Sequence, residues 1–253
     1  MIEVNVMGTL EISNLSKVYG NKILFSALKN ISFSIEEGEF LGIMGPSGSG
    51  KTTLLNMIST VDKPTSGEIT IKNKKPLRLQ GDELALFRRR ELGFVFQDFN
   101  LLDTLTVGEN IVLPLTLDGI PVKKQDDELN RISRILGIED LLNKRTFEIS
   151  GGESQRTAIA RALIHKPTLL LADEPTGNLD SKAAKIVMEL FEKVNEKERV
   201  TTIMVTHDPL SASYCSRILF IKDGAIYNEI CRGDSRQQFY HEIIDVLALL
   251  GGK

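Results

Sequence analysis

The residues whose types and order could do chemistry begin with Gly45, Pro46, Ser47, Gly48, Ser49, Gly50, Lys51 and Thr52. They fit the spacing G-x-x-x-x-G-K-[ST], in which glycines free backbone N–H groups to curl around phosphate oxygens. Lys51 would reach the β- and γ-phosphates, and the Thr52 hydroxyl would ligate Mg²⁺. The flanks have the character the motif requires. Phe40–Met44 is apolar and reads as a buried strand; Thr53, Leu54, Leu55, Asn56, Met57 and Ile58 read as a helix. Its N-terminus adds partial positive charge beside the phosphates, so Thr53 counts with the loop. A plain Gly/Ser turn is the competing reading, and the strand–loop–helix setting argues against it. The chain is expected to bind a nucleoside triphosphate.

A second constellation lies at Leu169-Leu170-Leu171-Ala172-Asp173-Glu174, where two carboxylates end an apolar run. On a strand next to the P-loop strand they would stand beside the phosphates. Asp173 would then hold Mg²⁺ through water, and Glu174 would polarise a water attacking the γ-phosphorus.

These groups need elements to position them. Residues 10–15 and 31–35 alternate apolar with polar, as half-buried antiparallel strands do, and 68–72 repeats the pattern after the turn at Pro64 to Gly67. An early β-rich lobe thus wraps the nucleotide core. Residues 168–172 and 201–205 are apolar or β-branched, as parallel core strands should be. Between them Ala183, Val187, Leu190, Phe191 and Val194 mark an amphipathic crossover helix. The pattern from Asp98 to Pro167 is helical, with candidates at Val107–Leu117, along Leu129, Ile132, Ile135 and Leu136, and from Ser150 until Pro167 stops it. A hairpin over 217–221 and 225–230 turns on Asp223-Gly224, and Phe239, Ile243, Val246, Leu247 and Leu250 suggest a last amphipathic helix. The basic run Arg88-Arg89-Arg90 reads as a solvated helical face rather than a phosphate or lipid contact.

Size and charge bound the function. With 253 residues, 42% hydrophobic, and a formal net charge of −3, the chain is one large α/β domain or two lobes around a shared core. Mild acidity argues against nucleic acid as a partner held by phosphate contacts. Nothing at the start reads as a signal peptide, and Met7 could be an alternative start, making the first six residues a disordered extension. No apolar run approaches the ~20 residues of a membrane span. Cys215 and Cys231 have no metal or redox spacing, which suits a reducing cytosol.

Ile149-Ser150-Gly151-Gly152-Glu153-Ser154-Gln155-Arg156 resembles the signature of the ATP-binding subunits of ABC transporters. Four further places match that family's motifs. They are Gln97 after Phe94-Val95-Phe96, Asn178-Leu179-Asp180, His207 in Val205-Thr206-His207-Asp208, and Tyr19 before Gly20. The resemblance implies an ABC ATPase fold: a P-loop, RecA-like α/β core with an antiparallel β lobe and an inserted helical subdomain. It divides the single domain into core at 8–97 and 167–231, helical subdomain at 98–166, and helical tail at 232–253.

Roles follow from the same likeness. Gln97 would sense Mg²⁺ and water and couple to a membrane permease subunit; His207 would contact the γ-phosphate, and Tyr19 would stack on adenine. Ser150, Gly151, Gly152, Glu153 and Asp180 would meet the nucleotide of a second copy in an ATP-sandwiched head-to-tail dimer. The helix opening at Ser150 gives this a physical basis, because its free N–H groups and dipole face an anion. The family usually has Gln at position 153, and a carboxylate there is expected to add like-charge repulsion.

Two stretches, Phe96 to Val107 and Ser213 to Gly224, resemble those of the bacitracin-resistance ATPases and narrow the branch to them. That likeness implies ATP hydrolysis on the cytoplasmic face of a permease that removes peptide antibiotics, with a sensor histidine kinase commonly in the complex. The alternatives within transport are lipoprotein-release, macrolide-efflux or cell-division systems. A soluble ABC ATPase acting on DNA or ribosomes would need a coiled-coil insertion or a second cassette, and neither is present.

Overall fold

The computed structural model of the chain describes residues 8–20 and 23–251. The expected extension over the first six residues lies outside them. The chain opens with β1 (Leu10–Tyr19) and β2 (Phe25–Ile35), then runs through β3 (Phe40–Met44) into α1 (Lys51–Ile58). Next come β4 (Ser66–Ile71), α2 (Gly81–Glu91) and β5 (Leu92–Val95), followed by α3 (Val107–Leu117), α4 (Val122–Leu136) and α5 (Gly151–Leu163). The last part is β6 (Leu169–Asp173), α6 (Ser181–Glu198), β7 (Thr202–Val205), the single turn α7 (Pro209–Ala212), β8 (Arg217–Lys222), β9 (Ala225–Cys231) and α8 (Arg236–Gly251).

Two sheets result. One is antiparallel in the order β2-β1-β4; the other runs β5-β6-β7-β3-β8-β9 and is parallel except for its last strand. The pleat of β3 distributes its side chains between two cores. Leu41 and Ile43 pack with α1 and the three-stranded sheet, while Phe40 and Met44 join the apolar faces of α3 to α6 and α8. Both sides are dry because β3 is buried along its whole length. Each such Leu, Ile or Phe contributes about 1.5–3 kcal/mol by leaving water. The P-loop is thus anchored from both faces of the sheet.

Three expectations are corrected or extended. First, β6 is not next to β3, because β7 lies between them. Two strand spacings, about 9.6 Å, therefore separate the strand that carries the carboxylates from the one that carries the P-loop. Room for an ion or a water is built into the strand order. Second, the basic run is exposed at Arg88 and Arg90, as expected of a solvated face, and it also makes hydrogen bonds to neighbouring segments. Arg88 Nε donates to Thr60 Oγ1 at 2.9 Å, Arg89 Nη1 to the Leu117 carbonyl at 2.7 Å, and Arg90 Nε to Asp118 Oδ1 at 2.9 Å. Leu117 ends α3, where carbonyls lack helical partners, and guanidinium groups supply the missing donors. Third, β1 and β2 run well past the alternating segments. Register shifts between Ile12 and Val18 break the period while pairing continues.

Candidate nucleotide site

The P-loop keeps its shape because glycines stand where a side chain could not. Gly45 has φ +150°, and a Cβ there would lie 2.1 Å from the Ile221 carbonyl oxygen; Gly50 has φ +107°, with the Ala27 carbonyl oxygen at 2.5 Å. Gly50 is also the N-cap of α1 and places no side-chain cap on it, so the first N–H groups of that helix remain open. Lys51 Nζ donates to the carbonyls of Gly45 (2.8 Å) and Pro46 (3.0 Å). Burial pushes the Lys51 pKa down, while Glu174 and Asp173 oppose that shift. Ser49 Oγ is buried without a hydrogen-bond partner among the described residues.

A cavity of about 500 Å³ stands over the loop, lined by Gly45, Ser47, Gly48, Gly50, Lys51, Thr52, Thr53, Gln97, Asp173, Glu174 and His207, with Phe25 and Ala27 at the side. Asp173 pairs with Val205 across the sheet, and its Oδ1 is buried and has no hydrogen-bond partner among the described residues. Burial and the Glu174 charge raise the Asp173 pKa, with Lys51 opposing. An orphaned carboxylate oxygen in a cavity that Thr52 also lines suits a hard divalent cation that takes its remaining ligands from phosphates and water. Among the described residues no cluster of three His, Cys, Asp or Glu could hold a metal alone. A Mg²⁺ carried with the nucleotide fits this donor set.

Glu174 has φ +47°, a left-handed conformation that few non-glycine residues adopt. Its N–H donates to the Val205 carbonyl at 2.9 Å, and its carbonyl accepts from Gly177 N–H at 2.9 Å. Its Oε2 lies 2.7 Å from His207 Nδ1, which fixes where the carboxylate points. Gln97 Nε2 donates to Asn178 Oδ1 at 3.2 Å, and Asn178 Nδ2 donates to Asp98 Oδ1 at 2.7 Å. Asp180 caps α6, accepting from Lys182 and Ala183 N–H. Tyr19 stands outside the cavity lining, with its hydroxyl donating to Asp62 Oδ2 at 2.8 Å and the Lys17 ammonium 4.6 Å from its ring centre.

Ser150, Gly151 and Gly152 do not line this cavity. They open α5, and Ser150 and Glu153 close a capping box on it. Glu153 Oε2 accepts from Ser150 N–H and Oγ–H, both at 2.7 Å, and Ser150 Oγ accepts from Glu153 N–H at 3.4 Å. These bonds hold the Glu153 carboxyl below the usual carboxylate range. The Glu153 carboxylate thus serves its own helix end, where Ser150 holds it. The spacing S-x-x-E announces such a box, so this was readable in the sequence.

Phe25 was missed. It is 59% exposed, sits opposite Tyr19 in the β1–β2 register, and lines the cavity. Strand partners settle that placement, and local sequence does not report them. Asn178, which ties the Gln97 loop to the segment after Glu174, was seen only as part of a motif.

A glycine cradle at a helix N-terminus, a lysine in its hollow and a displaced pair of carboxylates define a P-loop nucleotide-binding protein. The sequence matches the family described as "ABC transporter" over residues 28–177. It is 63% identical to the ABC transporter ATP-binding protein YxdL of Bacillus subtilis, over 96% of this chain and 95% of that protein. It is 51% identical to the bacitracin export ATP-binding protein BceA of Halalkalibacterium halodurans, over 97% of this chain and 98% of that one. Among solved structures, a dimeric ATP-binding cassette, MJ0796, bound to ADP and Pi matches with a TM-score of 0.80 at 42% identity, over 88% of this chain and 99% of that one. The chain belongs to the ABC transporter family, as an ATP-binding subunit.

Proposed function

We propose that this chain hydrolyses ATP to drive a separate membrane permease that exports peptide antibiotics of the bacitracin kind or frees them from their lipid targets. The observation that carries this reading is the 51% identity to BceA along nearly the whole of both chains. Among the described residues no helix is long and apolar enough to cross a membrane, so the permease is assigned to another chain. This subunit would work on its cytoplasmic face.

In this reading the P-loop N–H groups and Lys51 bind the triphosphate. Thr52, Asp173 and Gln97 hold Mg²⁺, which neutralises charge on the phosphate oxygens when bound. Glu174 accepts the proton of the attacking water, and His207 holds the carboxylate in place. Tyr19, with Phe25 opposite it, offers aromatic surface to the base. Ser150 to Gly152 of a second copy close the site from above, which makes a lone cassette an incomplete catalyst. The dimeric MJ0796 structure supports that arrangement.

The test has two parts. Affinity purification from membranes should bring down a permease, with a sensor kinase where one joins. Deletion of the gene should lower resistance to bacitracin-like peptides. Co-purification without any membrane protein would overturn the transport reading. A permease whose loss changes macrolide efflux, lipoprotein release or cell division instead would move the assignment to that branch.

A further inference from the structure

Gln155 is fully buried in α5, and its Nε2 donates to the Pro175 carbonyl at 2.6 Å. Its Oε1 is buried as well and has no hydrogen-bond partner among the described residues. A buried amide oxygen left unpaired is costly, and an apolar side chain of the same length would avoid that cost. Packing alone therefore does not account for glutamine here. The donated bond does.

Pro175 directly follows Glu174, which holds its left-handed backbone at φ +47°. On the other side, the Glu174 N–H is fixed to the Val205 carbonyl at 2.9 Å. The carboxylate thus hangs from a short segment clamped before it by the sheet and after it by α5. The other end of α5 is Ser150, five residues from Gln155, or about 7.5 Å along the helix axis. A hydrogen-bonded helix of 13 residues moves as a body, so a shift at Ser150 reaches Pro175 through Gln155.

We propose that Gln155 is a positioning residue that ties the orientation of the α5 N-terminus to the placement of Glu174 in the same chain. A nucleotide held by a second copy against Ser150 to Gly152 is then felt at this chain's own carboxylate. Binding at one site and turnover at the other become linked through a single side-chain bond. This inference rests on the two-site reading given above.

The experiment uses the full chain with Mg-ATP and starts with Glu174→Gln, whose ATP-driven dimerisation is measured by light scattering. Absence of a dimer there, and in the purified permease complex, overturns the two-site reading itself. With the dimer established, Gln155→Met is compared with wild type. It should lower kcat by about tenfold or more, a part of the roughly 10²–10⁴ a positioned base supplies. ATP affinity, and dimerisation in the Glu174→Gln background, should stay within about twofold. The Hill coefficient for ATP should fall towards one. Gln155→Glu adds a pH profile, because only a protonated carboxyl can donate to the Pro175 carbonyl. Its kcat relative to wild type should rise as pH is lowered. A Gln155→Met kcat within about twofold of wild type would overturn the proposal. So would a loss that follows dimerisation, or a flat relative profile for Gln155→Glu. If Gln155→Met does not fold, the Gln155→Glu profile decides.

Discussion

Two helix N-termini in this molecule are finished in opposite ways. α1 begins after Gly50, which offers no side chain, so its first N–H groups remain open above the P-loop. α5 begins after Ser150, whose own N–H and hydroxyl are already bound by the Glu153 carboxylate. The first end is made ready by backbone shape alone. The second carries an internal anion that a phosphate would have to replace at the Ser150 hydroxyl. One terminus is therefore a standing site, while the other becomes one only when something better than Glu153 arrives.

The comparison sharpens most if binding is separated from turnover. Glu174→Gln keeps both helix ends intact and should lose roughly 10²–10⁴ in kcat while still binding ATP. Steady-state phosphate release against ATP binding checks this, and near-normal turnover would remove Glu174 from the base role. Lys51→Ala strikes the open end itself. Loss of the half-buried ammonium should weaken ATP by about tenfold to a hundredfold in a calorimetric titration, because a charge-assisted bond to phosphate goes.

A smaller effect is expected at Asp173. Its carboxyl is raised by burial and by Glu174, so the folded state holds the proton to higher pH than the unfolded chain does. Its favourable contribution is present at acid pH and fades as pH rises through the raised value. At neutral pH without Mg²⁺, Asp173→Asn should therefore raise Tm by about 2–4 °C, while Mg-dependent hydrolysis fails. Unchanged Tm in thermal melts would show that the carboxylate is not strained in the free protein.

The smallest effects fall at the capped end. Ser150→Ala should cost about 0.5–2 kcal/mol of stability, the usual range for a lost N-cap. Glu153 has its pKa depressed, so its contribution is present above the unfolded value and lost as pH falls through the folded one. Glu153→Gln keeps the box but removes that acid sensitivity. As a weaker acceptor it should free the Ser150 hydroxyl and tighten ATP-driven dimerisation by a few-fold. No tightening would mean that Glu153 does not compete at that helix end.

Much of this was legible in the chain. The P-loop, the apolar strand before it and the carboxylates ending β6 are local patterns, and sequence carries local patterns directly. What failed to appear was set by partners distant along the chain. The insertion of β7 between β6 and β3 is a pairing choice among similar apolar strands, with nothing in 169–173 to announce it. Arg88 and Arg90 are exposed as their pattern suggests, but the bonds of the run to Thr60, Leu117 and Asp118 depend on segments distant along the chain. Gln155 sits early in α5, ahead of its apolar face, and only the buried turn at Pro175 gives its amide a purpose. The Glu153 box was the exception, being written in four consecutive residues.

The backbone of Glu174 carries one more consequence, for inheritance rather than chemistry. At φ +47° glycine or asparagine would sit more comfortably than glutamate. A library of this chain sorted only for folded protein should drift at position 174 towards those residues. The same library sorted for ATP turnover should hold the carboxylate. A position where the two selections part company identifies what the chain retains for its work at the expense of its ease of folding.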